Sequence, residues 1–130
     1  MKSFFANYSF IFLVLVLITS SCIDDDAIQK SDLLGRWMIE TGYRDGNPTE
    51  SLSGLFFEFR EENKLLTNMN LTGEEEICDF DLDGNTIFQQ NGSLNVDYNI
   101  ELFKTDSLIL TTELRKKKMK FVLYRAMSKE

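Results

Sequence analysis

The chain has 130 residues, 43% hydrophobic and 27% charged, and its 21 acidic residues against 14 basic ones give a formal net charge of −7. A surface of that sign repels phosphate backbones, so nucleic acid is not expected as a partner. There is no histidine, which removes Ser-His-Asp and Cys-His catalysis, His-ligated zinc, and any side chain that titrates near neutrality unaided. With those routes closed, the expectation is a non-enzymatic protein that uses no cofactor and no metal.

The first chemical signal is at the N-terminus. Phe10 to Ile18 is an unbroken apolar run of nine residues behind Lys2. Nine helical residues rise roughly 14 Å, well short of the about 30 Å of a bilayer core. The length and the basic start match a cleaved signal peptide over residues 1–21. Thr19-Ser20-Ser21 are small, and Cys22 follows, then Ile23 and Asp24-Asp25-Asp26. This junction resembles the relaxed lipoboxes of Gram-negative lipoproteins, in which the cysteine becomes an acylated N-terminus. The resemblance implies membrane attachment through lipidated Cys22. The acidic run is similar to the export signal that carries some lipoproteins to the outer face of the outer membrane. The competing reading is an ordinary secretory peptide that leaves Cys22 a plain thiol, free to bridge to Cys78, the only other cysteine. Acylation leaves no disulfide, so the domain must be held by its apolar core alone.

Loss of residues 1–21 would leave 109 residues, enough for one domain, and a net charge of −8 because the leader carries only a lysine. Residues 22–30 read as a polar tether, and residues 31–130 as the folded domain. Ser31-Asp32-Leu33-Leu34 reads as one capped helical turn. A strand follows over 36–43 with Trp37, Ile39 and Thr41 on one face. Asp45-Gly46-Asn47-Pro48 is a turn. Leu55, Phe57 and Phe59 alternate with Phe56, Glu58 and Arg60, and after Glu61-Glu62-Asn63 Leu65, Thr67, Met69 and Leu71 alternate with Leu66, Asn68 and Asn70. Cys78, Phe80 and Leu82 lead to the hairpin signal Asp83-Gly84-Asn85. Thr86 to Gln90 is a short strand of ambiguous facing. Leu94, Val96, Tyr98, Ile100 and Leu102 alternate most cleanly. Leu108, Leu110 and Thr112 follow, then the charged turn Arg115 to Lys118, then Met119, Phe121, Leu123 and Arg125.

Eight segments with short connections leave no room for a crossover helix. The predicted fold is all-β: an eight-stranded antiparallel up-and-down meander, with an open sandwich as the competing arrangement. Closure into a barrel hides both sheet edges. Gly35-Arg36-Trp37, placed after a helical turn at the opening of the first strand, resembles the G-x-W signature of lipocalins. Arg125, late in the last strand, matches the arginine that lipocalins pack across that tryptophan. The resemblance spans about Ser31 to Met127. It implies a barrel whose base is closed by Gly35, Trp37 and Arg125. The chain departs from the family in its short length and in lacking a helix after the barrel.

The resemblance also places any ligand inside the barrel. The residues predicted to line that interior are Trp37, Ile39, Phe57, Phe59, Met69, Phe80, Tyr98, Ile100, Leu110, Phe121 and Leu123. An eight-stranded barrel either fills with side chains or holds one small ligand, and so many large residues argue for a partly filled core, with any cavity apolar, small and open at the end away from Trp37 and Arg125. Two functions therefore stay open: binding of a small apolar molecule in the interior, or service as an interaction or accessory subunit for an envelope protein. Asp79, Asp81 and Asp83-Gly84 match half of a calcium loop, but position twelve is Gln90 rather than glutamate, so the aspartates read as solvated strand residues. Arg115 to Lys118 with Lys120 reads as a solvated hairpin tip, with lipid headgroups as the functional alternative. Cys78 reads as a small buried hydrophobe.

Overall fold

A computed structural model describes Ala27 to Met127. The leader over 1–21, the expected acylation site Cys22 and the acidic run Asp24 to Asp26 lie outside the described residues. The domain begins slightly before Ser31. Helix α1 spans Lys30–Leu33, and the Asp32 carboxylate accepts the Gln29 backbone N–H at 3.0 Å. Ile28 packs on the core, and Lys30 pairs with Asp81 at 2.9 Å. Residues 28–30, expected in the tether, thus belong to the domain.

Nine strands follow: β1 (Gly35–Arg44), β2 (Asn47–Thr49), β3 (Phe56–Arg60), β4 (Lys64–Thr67), β5 (Glu76–Asp83), β6 (Thr86–Gln90), β7 (Val96–Phe103), β8 (Ser107–Leu114) and β9 (Lys117–Arg125). All neighbours are antiparallel. β2 is a short hairpin arm on the far end of β1, turning at Asp45 and Gly46, whose φ values of 51° and 86° suit a primed turn. The other eight strands close a ring, because β1 pairs with β3 on one side and with β9 on the other. The predicted barrel is therefore present, and the open sandwich is not. No helix among the described residues is long and apolar enough to cross a membrane.

Two bulges depart from simple alternation. In β1 the register steps between Ile39 and Thr41. The extra residue, Glu40, reverses the facing beyond it, so Thr41 pairs with half-buried Val122 on the outside while Gly42 faces in with Phe121. In β7 the step falls between Ile100 and Leu102. Leu102 turns outward and Phe103 takes the inner position, edge-on to Trp37 with ring centroids 6.2 Å apart. Thr41 and Leu102 are thus corrected from inner to outer positions. Leu71 is corrected as well: β4 stops at Thr67, and Leu71 is 62% exposed.

One end of the barrel is closed by α1 and a clasp around Trp37. The indole N–H donates to the Leu33 carbonyl at 2.9 Å, and both residues are fully buried. The Arg125 guanidinium stacks 4.1 Å from the indole. It also donates to three carbonyls: Leu34 at 2.7 Å, Thr105 at 2.8 Å and Asp32 at 3.1 Å. Gly35 carries φ 119°, a conformation that favours glycine, and a Cβ there would lie 2.9 Å from the Arg125 Nη1 and press on the clasp. Trp37→Ala should cost about 3–5 kcal/mol as a large core deletion. That is a drop of more than about 10 °C in Tm for a domain of this size. A Tm within a degree or two of the parent would contradict the clasp.

Candidate functional site

The interior is built in layers that follow the pairing register. Above the Trp37 clasp, Phe59 meets Phe80 edge-to-face at 4.9 Å. Next, Phe57 meets Tyr98 edge-to-face at 5.3 Å, and Phe121 lies 6.2 Å from each of them. Such offset and edge contacts are the favoured aromatic geometries. Leu110 and Leu123 are fully enclosed, Ile100 and Met69 nearly so, and Ile39 is half-buried against the same cluster. The eleven residues predicted to line the interior thus gather in one packed cluster, ten of them buried and Ile39 packed against it.

One polar thread runs through this core. The Tyr98 hydroxyl donates to the Gln89 Oε1 at 2.7 Å, and the Gln89 amide donates to the Met69 carbonyl at 2.8 Å. Burial, then the nearby Cys78 thiol, pushes the Tyr98 phenol well above its ordinary range, so it remains a donor. The Thr67 hydroxyl closes a second link by donating to the Phe56 carbonyl at 2.7 Å. No buried side-chain nitrogen or oxygen among the described residues lacks a partner. Gln89 was not singled out from the sequence. Its parity with Ile87, which is fully buried, was the available signal.

At the end of the barrel away from Trp37 the wall opens. β7 and β8 pair only as far as Asn99 and Thr111. Beyond that, Val96 to Tyr98 pair with β6, and Thr112 to Leu114 pair with β9. A cleft of about 720 Å³ lies at this divergence, with Tyr43, Asn99, Thr111 and Lys120 among its lining residues and Tyr98 and Met119 at its floor. The Thr112 hydroxyl bridges the divergence by donating to the Asp97 carbonyl at 2.7 Å. The basic turn predicted at Arg115 to Lys118 rises beside this cleft, because β9 starts where β1 ends, with Arg44 opposite Met119. Arg115 and Lys116 supply the turn with φ values of 53° and 67°. Lys117 lies 3.8 Å from Asp45, and Lys120 3.2 Å from Glu101. This turn is roughly 25 Å along the barrel from α1, where the chain enters, given a ten-residue strand tilted by about 40°.

The aspartates of the half calcium loop do not converge. Asp79 pairs with Lys64 at 2.7 Å and accepts from Asn91 at 2.7 Å, while Asp81 pairs with Lys30. Those contacts hold both carboxyls below the usual carboxylate range. Among the described residues no three His, Cys, Asp or Glu side chains gather as a metal site. Cys78 is buried, with its thiol 3.5 Å from the Leu65 carbonyl. Burial, reinforced by the Glu76 and Asp79 carboxylates, pushes that thiol up to about 11.

The outer face beside the clasp carries an aromatic that the alternation placed outside. Phe56 is 3% exposed although it sits out of phase with Phe57. The Arg36 guanidinium covers its ring at 4.0 Å. Arg36 also pairs with Glu58 at 2.9 Å, and Arg60 pairs with the other Glu58 oxygen at 2.7 Å. Partial burial alone would raise the Glu58 carboxyl, but its bonds to Arg60 and Arg36 outweigh that and hold it below 4.5.

No family model, curated protein or solved structure matches the chain.

Two outcomes test these environments. At pH 7 the native Cys78 should resist a thiol reagent such as iodoacetamide, and unfolding in guanidinium should expose it to complete labelling. Peptide mass spectrometry locates the label, and rapid native modification of Cys78 would contradict its burial. The depressed folded pKa of Glu58 stabilises the native state above 4.5, and that contribution disappears as the pH falls through the folded value. Glu58→Gln should therefore cost up to about 1 kcal/mol near neutrality and less at about pH 3. Parallel denaturation curves at both values check this, and an equal cost at both would refute it.

Proposed function

We propose that the chain is a lipocalin-like lipoprotein of the outer membrane, held by acylated Cys22, that acts through its outer surface as a non-enzymatic accessory module. The filled interior carries this reading. Trp37, Phe57, Phe59, Phe80, Tyr98 and Phe121 are each at most 2% exposed; the last five lie in ring-to-ring contact, and Trp37 meets Phe103. A packed interior has the density of an organic crystal, so a guest must displace side chains. Overpacking of such a core typically costs about 1–3 kcal/mol. Binding a small apolar molecule inside, the other function the sequence leaves open, would have to overcome that cost.

The Trp37 and Arg125 clasp supports the lipocalin-like part of the reading, since it joins the two residues on which the resemblance rests. The anchor reading is supported by the sequence around Cys22. The described chain then starts at the closed end, which would set that end nearest the bilayer and the cleft farthest from it. Several acyl chains on one cysteine would make attachment effectively permanent, since stable anchoring takes more than one chain.

Native mass spectrometry of the full-length protein extracted from membranes separates the two functions. The expected mass is the processed chain plus its acyl groups, with no further small molecule. A stoichiometric apolar compound released on unfolding would replace the surface reading with the interior one. Cys22→Ser should abolish incorporation of radiolabelled palmitate, and unchanged labelling would overturn the anchor.

A further inference from the structure

The cleft at the open end has a lining that the packed core does not explain. Four consecutive pairings place one row of side chains on the outer face across five strands: Tyr43 beside Lys120, Lys120 beside Thr111, Thr111 beside Asn99, and Asn99 beside Thr86. At about 4.8 Å per strand the row spans roughly 19 Å. Lys120 is occupied by Glu101 at 3.2 Å. The side chains of Tyr43, Thr86, Asn99 and Thr111 make no hydrogen bond among the described residues, although all four line the cleft. Where β7 and β8 diverge, the row becomes concave, and Asp97, Glu113 and Lys118 enter the lining.

The composition of this lining discriminates between ligand classes. An apolar guest would strip water from Asp97, Glu113, Lys118 and Asn99 without returning hydrogen bonds, which disfavours it at those positions. A polyanion would meet Asp97 and Glu113, and a net charge of −7 besides. A neutral polyhydroxylated ligand fits both constraints. Its hydroxyls donate to the Asp97 and Glu113 carboxylates, accept from the Lys118 ammonium, and do both with Asn99, Thr86 and Thr111. Its C–H faces suit the electron-rich face of the Tyr43 ring. Pockets of this type combine a few placed polar groups with aromatic surface, and about 720 Å³ lies in the range of ordinary ligand clefts.

We propose that this cleft is a binding site for a short, neutral oligosaccharide, bound along the row from Thr86 to Tyr43. The site deepens the surface-acting reading by naming what one part of the surface takes. It does not depend on acylation, because the cleft lies at the end away from the chain's entry. Loss of the oligosaccharide site would leave the native-mass experiment above unaffected, so the two can fail separately.

The test uses full-length protein in a detergent without a sugar headgroup, titrated calorimetrically with cellohexaose, chitohexaose and hexagalacturonate. One of the two neutral probes should bind with a Kd below about 10 mM, and the anionic one should bind more weakly. Tyr43→Ala and Asn99→Ala should each weaken binding at least about tenfold. Lys64→Ala, which removes the Asp79 ion pair outside the cleft, should leave it unchanged. Amide shifts of the parent protein give a second readout that needs no variant: the neutral probe should move Thr86, Asn99 and Thr111. No binding by either neutral probe, stronger binding of hexagalacturonate, or binding indifferent to both cleft variants with no shift at those amides would each overturn the site.

Discussion

β1 is hydrogen-bonded along both of its edges, and the rest of the architecture depends on that. Its pairing with β9 runs from Trp37 opposite Arg125 to Arg44 opposite Met119. A meander of short strands would otherwise present two rows of unpaired backbone groups, each a template for aggregation. The pairing also sets the clasp, because it puts Arg125 directly across from Trp37 at the same level. Arg125 then satisfies three carbonyls from α1, its connection to β1 and the β7–β8 turn. One side chain thus gathers the entry helix, the first strand, a distant turn and the last strand.

Filling and closing the barrel impose different demands on the same residues. An eight-stranded ring has room for side chains or one small guest. Here the aromatic residues of β3, β5, β7 and β9 meet across the axis, and the Gln89 to Tyr98 bond ties the polar remainder into the same packing. Chemistry is then displaced to the outside. There, ion pairs such as Lys64 to Asp79 are mutually satisfied, whereas the row from Thr86 to Tyr43 has unused capacity.

Much of the barrel was legible in the sequence, and what was not has a physical reason. Period-two alternation marked the core faces of Leu55 to Phe59, Val96 to Ile100 and Met119 to Leu123, because half-buried strands leave that signature. The bulges at Glu40 and Glu101 left none, since an inserted residue carries no characteristic side chain, and Thr41 and Leu102 were therefore misplaced. Phe56 does face outward, but its burial left no trace in the alternation, because its cover, Arg36, comes from a neighbouring strand 20 positions earlier. The predicted interior residues do assemble together, and their bulk already pointed to a filled core, but the ring orientations that pack them are not encoded in composition. The cleft is the least legible feature. It exists because β7 and β8 part beyond Asn99 and Thr111, a relation between two segments that no local pattern announces.

The backbone N–H of Ala126 donates to the Arg36 carbonyl at 2.8 Å, beside the helix through which the chain comes in. Head and tail of the folded unit consequently emerge from the same pole. A fluorescent reporter or capture tag joined after Met127 would hang next to α1, and the opposite pole, with its cleft, would stay unobstructed for whatever approaches from solution.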